Sequence, residues 1–246
     1  MTGVKQYLLD KMKKGTVHVT LLDPDKQSPA EAGKLALRMK EAGTDAFLIG
    51  GSTGVTTENL GATAKAVKQA TGLPVIYFPS SPKALSDEVD CILFMSILNA
   101  GDPLYITRGQ AMAATYIKHM GIETVSMAYV IVEPGMTVGK VTNASLVGHD
   151  DITAAVGYAV AAELLGMQIV YLEAGSGANL PISPEMIAAV RHSIDIPLII
   201  GGGIRTPETA AAAHQAGANI IVTGTFVEKC NDENLLKAVV SAAKGL

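Results

Sequence analysis

Eight short apolar runs, spaced along the whole chain, constrain the fold more than any other feature. They are "VHVTLL" from Val17, "AFLIG" from Ala46, "PVIYF" from Pro74, "CILFM" from Cys91, "TVSMAYVIV" from Thr124, "QIVYLE" from Gln168, "PLIIG" from Pro197 and "NIIVTG" from Asn219. Each is apolar throughout rather than alternating, which is the pattern of a strand covered on both faces in a parallel sheet. Helical segments with legible ends lie between most of them. Ser28-Pro29-Ala30-Glu31 supplies an N-cap, a first-turn proline and a capping-box acid, and Gly43 closes that segment. Thr206-Pro207-Glu208 opens another, closed near Gly217, and Asn231-Asp232-Glu233 opens the last. "EAGTDAFLIGG" from Glu41 also resembles "QAGANIIVTGT" from Gln215, a weak internal repeat of helix end and strand.

Eight strands alternating with helices over 246 residues predict an α/β fold, a (β/α)8 TIM barrel, in a single domain spanning residues 1–246. An open doubly wound sheet would want its phosphate fingerprint after the first strand, whereas the glycines here follow the sixth, seventh and eighth. One connection breaks the rhythm. Between Phe78 and Cys91 the chain supplies only "PSSPKALSDEVD", so the helix between strands three and four is expected to be shortened or replaced by a loop. Apolar strand surface left open on that flank predicts a ligand groove or a subunit contact.

In barrels of this type the reactive groups come from the C-terminal strand ends. Strand one ends in Asp23-Pro24-Asp25-Lys26, and strand two in Gly50-Gly51-Ser52-Thr53-Gly54. Strand six runs through Tyr171-Leu172-Glu173 into Gly175-Ser176-Gly177, strand seven into Gly201-Gly202-Gly203, and strand eight into Gly224-Thr225. Glycines after strands seven and eight let backbone N–H groups approach an anion, which predicts a phosphate site; three glycines also make an ordinary turn. Asp23 and Asp25 fit either an Asx-type turn or coordination of a magnesium ion by one carboxylate with the Ser52 hydroxyl. Beside a phosphate pocket, Glu173 can accept a proton from a substrate hydroxyl; the alternative is a structural Glu bonded to loop N–H groups.

Composition closes off several classes. A net charge of −4, four Phe, no Trp and no basic block give no surface for nucleic acid. No apolar run approaches the roughly 18 residues of a membrane span and the first residues lack a signal-peptide core, so a cytoplasmic protein is expected. Cys91 and Cys230 lack metal-ligand spacing and read as packing residues, as do the scattered His18, His119, His149, His192 and His214. The ten methionines read as fillers of core gaps. Lys140 reads either as a diphosphate contact or as a solvated loop lysine. The alanine-rich "DDITAAVGYAVAAELLG" is expected to be helical and to pack closely, which makes a homo-oligomer the expectation.

The strings "HVTLLDPDK", "LIGGSTGVT", "ILFMSILN", "MAYVIVEPGMTVGKVTNA", "YLEAGSGA", "IPLIIGGGIRTPE" and "GTFVEK", which run in order from His18 to Lys229, resemble the geranylgeranylglyceryl phosphate synthases and the related heptaprenylglyceryl phosphate synthases. The resemblance implies a modified triosephosphate-isomerase barrel. It also implies Mg2+-dependent transfer of a prenyl chain from a prenyl diphosphate to the C3 hydroxyl of sn-glycerol 1-phosphate, with release of diphosphate, in archaeal-type lipid biosynthesis. On the matching positions, Asp23 and Ser52 are expected to hold the metal, with Asp25 less favoured. Tyr171, Leu172, Glu173, Ala174, Gly175, Ser176, Gly177, Gly202, Gly203, Gly224 and Thr225 are expected to form the glycerol-phosphate site, with Glu173 and Tyr171 catalytic. Part of the family carries a lysine where this chain has Leu21, and Lys26 is the neighbouring candidate for its contact.

A prenyl tail needs a dry channel, which is expected on the missing-helix flank, lined by Tyr77, Phe78, Phe94 and Ile97. Peripheral contact with a membrane would follow from such a substrate. The rival on the same barrel is a phosphosugar isomerase, aldolase or synthase, and outside catalysis a phosphometabolite sensor or lipid-binding scaffold. A Schiff-base aldolase would want a lysine inside a strand end, and no apolar run here ends in one. A sensor would have no use for Glu173 or for the Asp23 and Ser52 pair.

Overall fold

The computed structural model describes residues 3–246. Eight parallel strands close a barrel in sequence order: β1 (Val17–Leu22), β2 (Ala46–Ile49), β3 (Val75–Tyr77), β4 (Cys91–Ile97), β5 (Glu123–Ile131), β6 (Ile169–Glu173), β7 (Leu198–Gly201) and β8 (Ile220–Thr223), with β8 returning to pair with β1. Successive side chains in a strand point to opposite faces. Val17 and Val19, Ile169 and Tyr171, and Ile220 and Val222 therefore belong to one inner core, while Val170, Leu172 and Ile221 face the helices outside. Both faces are buried, which is why the strands are apolar throughout.

The helical layer comprises α2 (Pro29–Ala42), α3 (Thr57–Thr71), α4 (Gly109–Met120), α6 (Ile152–Leu164), α7 (Pro184–Ser193), α8 (Pro207–Gln215) and α10 (Glu233–Lys244). α2 starts where the capping box places it: the Ser28 side chain accepts the Glu31 N–H while Glu31 accepts the Ser28 N–H, and Gly43 closes it at φ 105°. At α8 the box is completed by Thr209. Asp232 caps α10 by accepting the N–H groups of Asn234 and Leu235. Three helices lie outside the eight-unit rhythm. α1 (Val4–Met12) covers the bottom of the barrel with Val4 and Leu8, and the short α5 (Met136–Val141) and α9 (Thr225–Lys229) follow β5 and β8 at the opposite end.

The β3–β4 connection is a loop, as its prolines require. Residues 78–90 form turns, from which Ala84, Leu85 and Val89 drop onto the sheet beside Tyr77 and Ile92. A five-residue π-helical segment, Leu104–Arg108, leads into α4, whose Ala113 and Ile117 cover the other side of the gap.

A buried polar network ties the β1–β2 edge to both ends of the chain. Asp45 accepts the His18 N–H at 3.1 Å and is bonded by the ammonium groups of Lys11 at 3.1 Å and Lys244 at 2.9 Å. The fully buried His18 ring lies between the Thr44 and Thr223 hydroxyls, and burial lowers its pKa to about 3, so it is neutral and structural. Both thiols are free, and burial raises that of Cys91 to about 12.

Candidate active site

Strand parity carries the chemistry into the barrel mouth. Ile169 and Tyr171 point inward, so Glu173, two residues further, does as well, in register with Ile131 on β5 and Gly201 on β7. Glu173 is 6% exposed and accepts the Gly175 N–H on Oε1 at 2.7 Å. Burial raises its pKa, opposed by hydrogen bonds from the Tyr171 hydroxyl, the Gly175 amide and the Tyr129 hydroxyl. The loop amide bond is the one a structural Glu would make, and the inward, buried position between two tyrosines is the one a proton acceptor would need, so the geometry fits both readings of Glu173. Tyr129 and Tyr171 are in turn raised well above the ordinary phenol value by burial and by the Glu173 charge, so they stay protonated.

Tyr171 lies one layer below Glu173. Its ring meets those of Tyr129 and Phe78 at centroid distances of 5.0 and 5.7 Å, forming an aromatic floor. Gly201 must be glycine because a Cβ there would stand 2.1 Å from the Tyr171 hydroxyl. Gly202, at φ 83°, backs Glu173 in the same way, its Cβ position being 2.5 Å from Oε1.

A cavity of about 340 Å³ opens above this floor. Of the residues expected to bind glycerol phosphate, Glu173, Ser176, Gly224 and Thr225 line it. Ser176 Oγ and Thr225 Oγ1 are 2.7 Å apart and link the loops after β6 and β8. Leu172 and Ala174 turn their side chains outward into the helical layer, and the Ala174 N–H is used on the Gly201 carbonyl, so neither supplies a group to the cavity. Gly175, Gly177, Gly202 and Gly203 shape the loops from behind, all at positive φ. Gly203 packs against Pro181.

Asp23 and Ser52 both line the cavity, and the loop after β2 passes so close to Asp23 that a Cβ on Gly51 would stand 2.4 Å from Oδ1. Asp25 does not line it and packs against Gly54. Asp23 makes the Asx-type turn, its Oδ1 accepting the Asp25 N–H at 3.1 Å, while Oδ2 is 3.0 Å from Lys26 Nζ. No group of three His, Cys, Asp or Glu residues able to hold a metal occurs among the described residues. One carboxylate and one hydroxyl nonetheless fit a magnesium ion that keeps several waters and takes substrate oxygens.

All four residues expected in the prenyl groove, Tyr77, Phe78, Phe94 and Ile97, line the same cavity. It continues between the 78–90 loop and α4, against Leu85, Ile92, Ala113 and Ile117. Lys140 lies outside it, while Val138 and Val141 from α5 and Thr142 just after it contribute to its wall. Among the lining residues that the sequence does not single out, two bear on the chemistry, Tyr129 and Glu228. Tyr129 could have been found by counting parity along β5. Glu228, on α9, accepts the Asp23 N–H at 3.1 Å across the mouth, a contact between residues 205 apart that no local pattern signals.

The sequence profile of the PcrB family matches residues 9–243. A geranylgeranylglyceryl phosphate synthase of Thermococcus gammatolerans is 51% identical over 226 residues, covering 92% of this chain and 90% of that protein. One from Thermoplasma volcanium is 42% identical over 247 residues, 100% of this chain and 98% of that protein. Among solved structures, the (S)-3-O-geranylgeranylglyceryl phosphate synthase of Thermoplasma acidophilum, in complex with its substrate sn-glycerol-1-phosphate, superposes with a TM-score of 0.96 at 41% identity over the full length of both chains. A tryptophan synthase alpha chain from Legionella pneumophila superposes at 0.64 with 12% identity, a likeness of fold alone.

Proposed function

This chain belongs to the PcrB family, and from that premise we propose that it is a prenyltransferase joining a geranylgeranyl chain to the C3 hydroxyl of sn-glycerol 1-phosphate with release of diphosphate. The observation that carries this reading is one continuous cavity: Glu173 stands between a hydroxyl-and-glycine cradle and an apolar groove that follows the missing-helix flank.

The glycerol phosphate sits at Ser176, Gly224 and Thr225, where loop amides and the start of α9 favour an anion. That placement brings the C3 hydroxyl to Glu173, which takes its proton as the oxygen attacks C1 of the prenyl chain. Tyr171 and Tyr129 remain neutral donors that keep the carboxylate oriented. Fixing the acceptor makes the attack effectively intramolecular. Asp23 and Ser52 would hold the magnesium ion, which when bound neutralises charge developing on the diphosphate. The prenyl tail lies along Phe78, Phe94 and Ile97 toward Ala113 and Ile117, away from water.

A Schiff-base aldolase is disfavoured by the state of Lys26, the one lysine among the described residues that lines the cavity. Burial pulls its pKa down, but Asp23 and Glu228 more than offset this and hold it above the ordinary value, the opposite of what an amine nucleophile needs. No helix among the described residues is long and apolar enough to cross a membrane. Supporting the homo-oligomer reading are Leu164 and Leu165, exposed at the end of the alanine-rich α6.

The test is an assay with sn-glycerol 1-phosphate, or its enantiomer, and C15, C20 and C35 prenyl diphosphates, with magnesium and with chelator. Magnesium-dependent ether formation with the sn-1 isomer and the C20 donor is expected. Reaction of the sn-3 isomer alone would reject the acceptor assignment, and a preference for C35 would reassign the donor.

A further inference from the structure

Lys26 stands where the two carboxylates at the cavity mouth converge. Its Nζ is 3.0 Å from Asp23 Oδ2 and 3.6 Å from Glu228 Oε2. All three residues line the cavity, and the Lys26 side chain is 54% exposed while those of Asp23 and Glu228 are 11% and 13%. The carboxylates are fixed. Asp23 is pinned by its own turn, and the other oxygen of Glu228 is bonded to the Asp23 amide. The lysine, on a flexible four-carbon stem, is the partner free to move.

An ammonium at that distance from Oδ2 occupies the space in which a magnesium ion, at about 2.1 Å from its oxygens, would carry its waters. A divalent ion at Asp23 would repel this ammonium and compete with it for the same carboxylate. Two carboxylates and one ammonium leave the mouth with one net negative charge, which repels a diphosphate. Adding a dication offsets this charge, and the displaced ammonium, still beside Glu228, then meets the incoming phosphate oxygens.

Building on the reading above, we propose that Lys26 is an internal counter-cation. It holds Asp23 in the metal-free protein, yields it to the divalent ion, and then binds the diphosphate of the prenyl donor as a point charge. Glu228 is a positioning residue that keeps the loop after β1 in place through the Asp23 amide while this exchange occurs. Binding of donor is thereby coupled to prior binding of metal, in a chain whose Leu21 offers no cation at the neighbouring strand position.

The test uses the full chain and binding readouts alone: Mn2+ affinity by electron paramagnetic resonance, inorganic diphosphate affinity by calorimetry with saturating Mg2+, and sn-glycerol 1-phosphate affinity as the control. In Lys26→Met, removal of the internal competitor should tighten Mn2+ at least threefold. Diphosphate should weaken about tenfold, the worth of one charge-assisted contact, with glycerol phosphate unchanged. Lys26→Arg should recover most of the diphosphate affinity. Wild-type protein that binds both probes, with Lys26→Met indistinguishable from it or weaker for Mn2+, would overturn the role of Lys26 and leave the prenyltransferase reading intact. Wild-type protein that binds diphosphate with no divalent ion and takes up no Mn2+ would overturn both this exchange and the metal site.

Discussion

Replacing Glu173 by Gln separates what the residue does for catalysis from what it does for the fold. Gln has the same shape, its amide oxygen can keep the 2.7 Å bond from the Gly175 N–H, and its amide nitrogen can donate to a tyrosine hydroxyl. It cannot take a proton from an alcohol. Loss of a positioned general base costs about 10²- to 10⁴-fold in rate, or about 2.7–5.5 kcal/mol of barrier at 1.36 kcal/mol per tenfold. Binding of sn-glycerol 1-phosphate should change by no more than about fivefold, the worth of one neutral hydrogen bond of about 1 kcal/mol.

Stability should move the other way. Glu173 is raised above its ordinary value of 4.5 mainly because burial penalises its charge. A group raised on folding favours the fold while protonated and loses that contribution as pH climbs through its folded pKa. Glu173→Gln, which carries no charge at any pH, should therefore be more heat-stable than wild type at pH 7, with the gap closing in acid. In a chain of this size about 1 kcal/mol appears as roughly 2–4 °C in Tm. The wild-type kcat/KM should fall on an acidic limb centred above 4.5, and the residual activity of the variant should lack it. Turnover within threefold of wild type, or a Tm lowered across the whole pH range, would refute the assignment of a buried base.

Four further substitutions test the cavity and the frame that carries it. Gly202→Ala puts a methyl 2.5 Å from Glu173 Oε1 and 2.7 Å from the Gly175 nitrogen at φ 83°, so activity should fall at least tenfold with about 1–3 kcal/mol lost in urea unfolding, whereas Gly72→Ala at φ 65°, with nothing within 4 Å, should cost about 1 kcal/mol and leave turnover unchanged. Asp45→Asn removes the shared partner of Lys11 and Lys244 and should cost about 2 kcal/mol, less than a fully buried pair because the lysines are part-exposed. Burial opposes the Asp45 charge, but bonds from Lys244, the His18 amide and Lys11 hold its pKa below 3.8, so that stability is present above pH 3.8 and is lost as pH falls through the folded value; the deficit of the variant, followed by circular dichroism, should close there. Ala113→Phe fills the groove beside Ile117 and should raise KM for the C20 donor at least tenfold while leaving KM for glycerol phosphate alone, with a smaller penalty for a C15 donor.

How far the sequence reveals this site depends on whether a residue's position follows from local periodicity or from contacts across the barrel. The closed sheet and the β3–β4 gap were readable because burial on both faces leaves apolar runs and because Pro79 and Pro82 exclude a helix. Glu173 was readable because it closes such a run at an inward-facing position. Parity tells which way a side chain points, and so it reveals that Leu172 turns outward, but it does not tell what stands opposite. Glycine is the sharper case. Gly201, Gly202 and Gly203 look like one phosphate loop in sequence, and the structure adds what sequence does not show: a Cβ would meet the Tyr171 hydroxyl at the first, Glu173 at the second and Pro181 at the third, atoms that belong to other strands and loops. The same holds at the mouth, where the acidic pair after β1 splits: Asp23 enters the cavity and meets Glu228, while Asp25 turns back onto Gly54. Pro24 between them makes the two acids look equivalent. Only the course of the loop after β2, packed against both, separates the acid that lines the cavity from the one that does not.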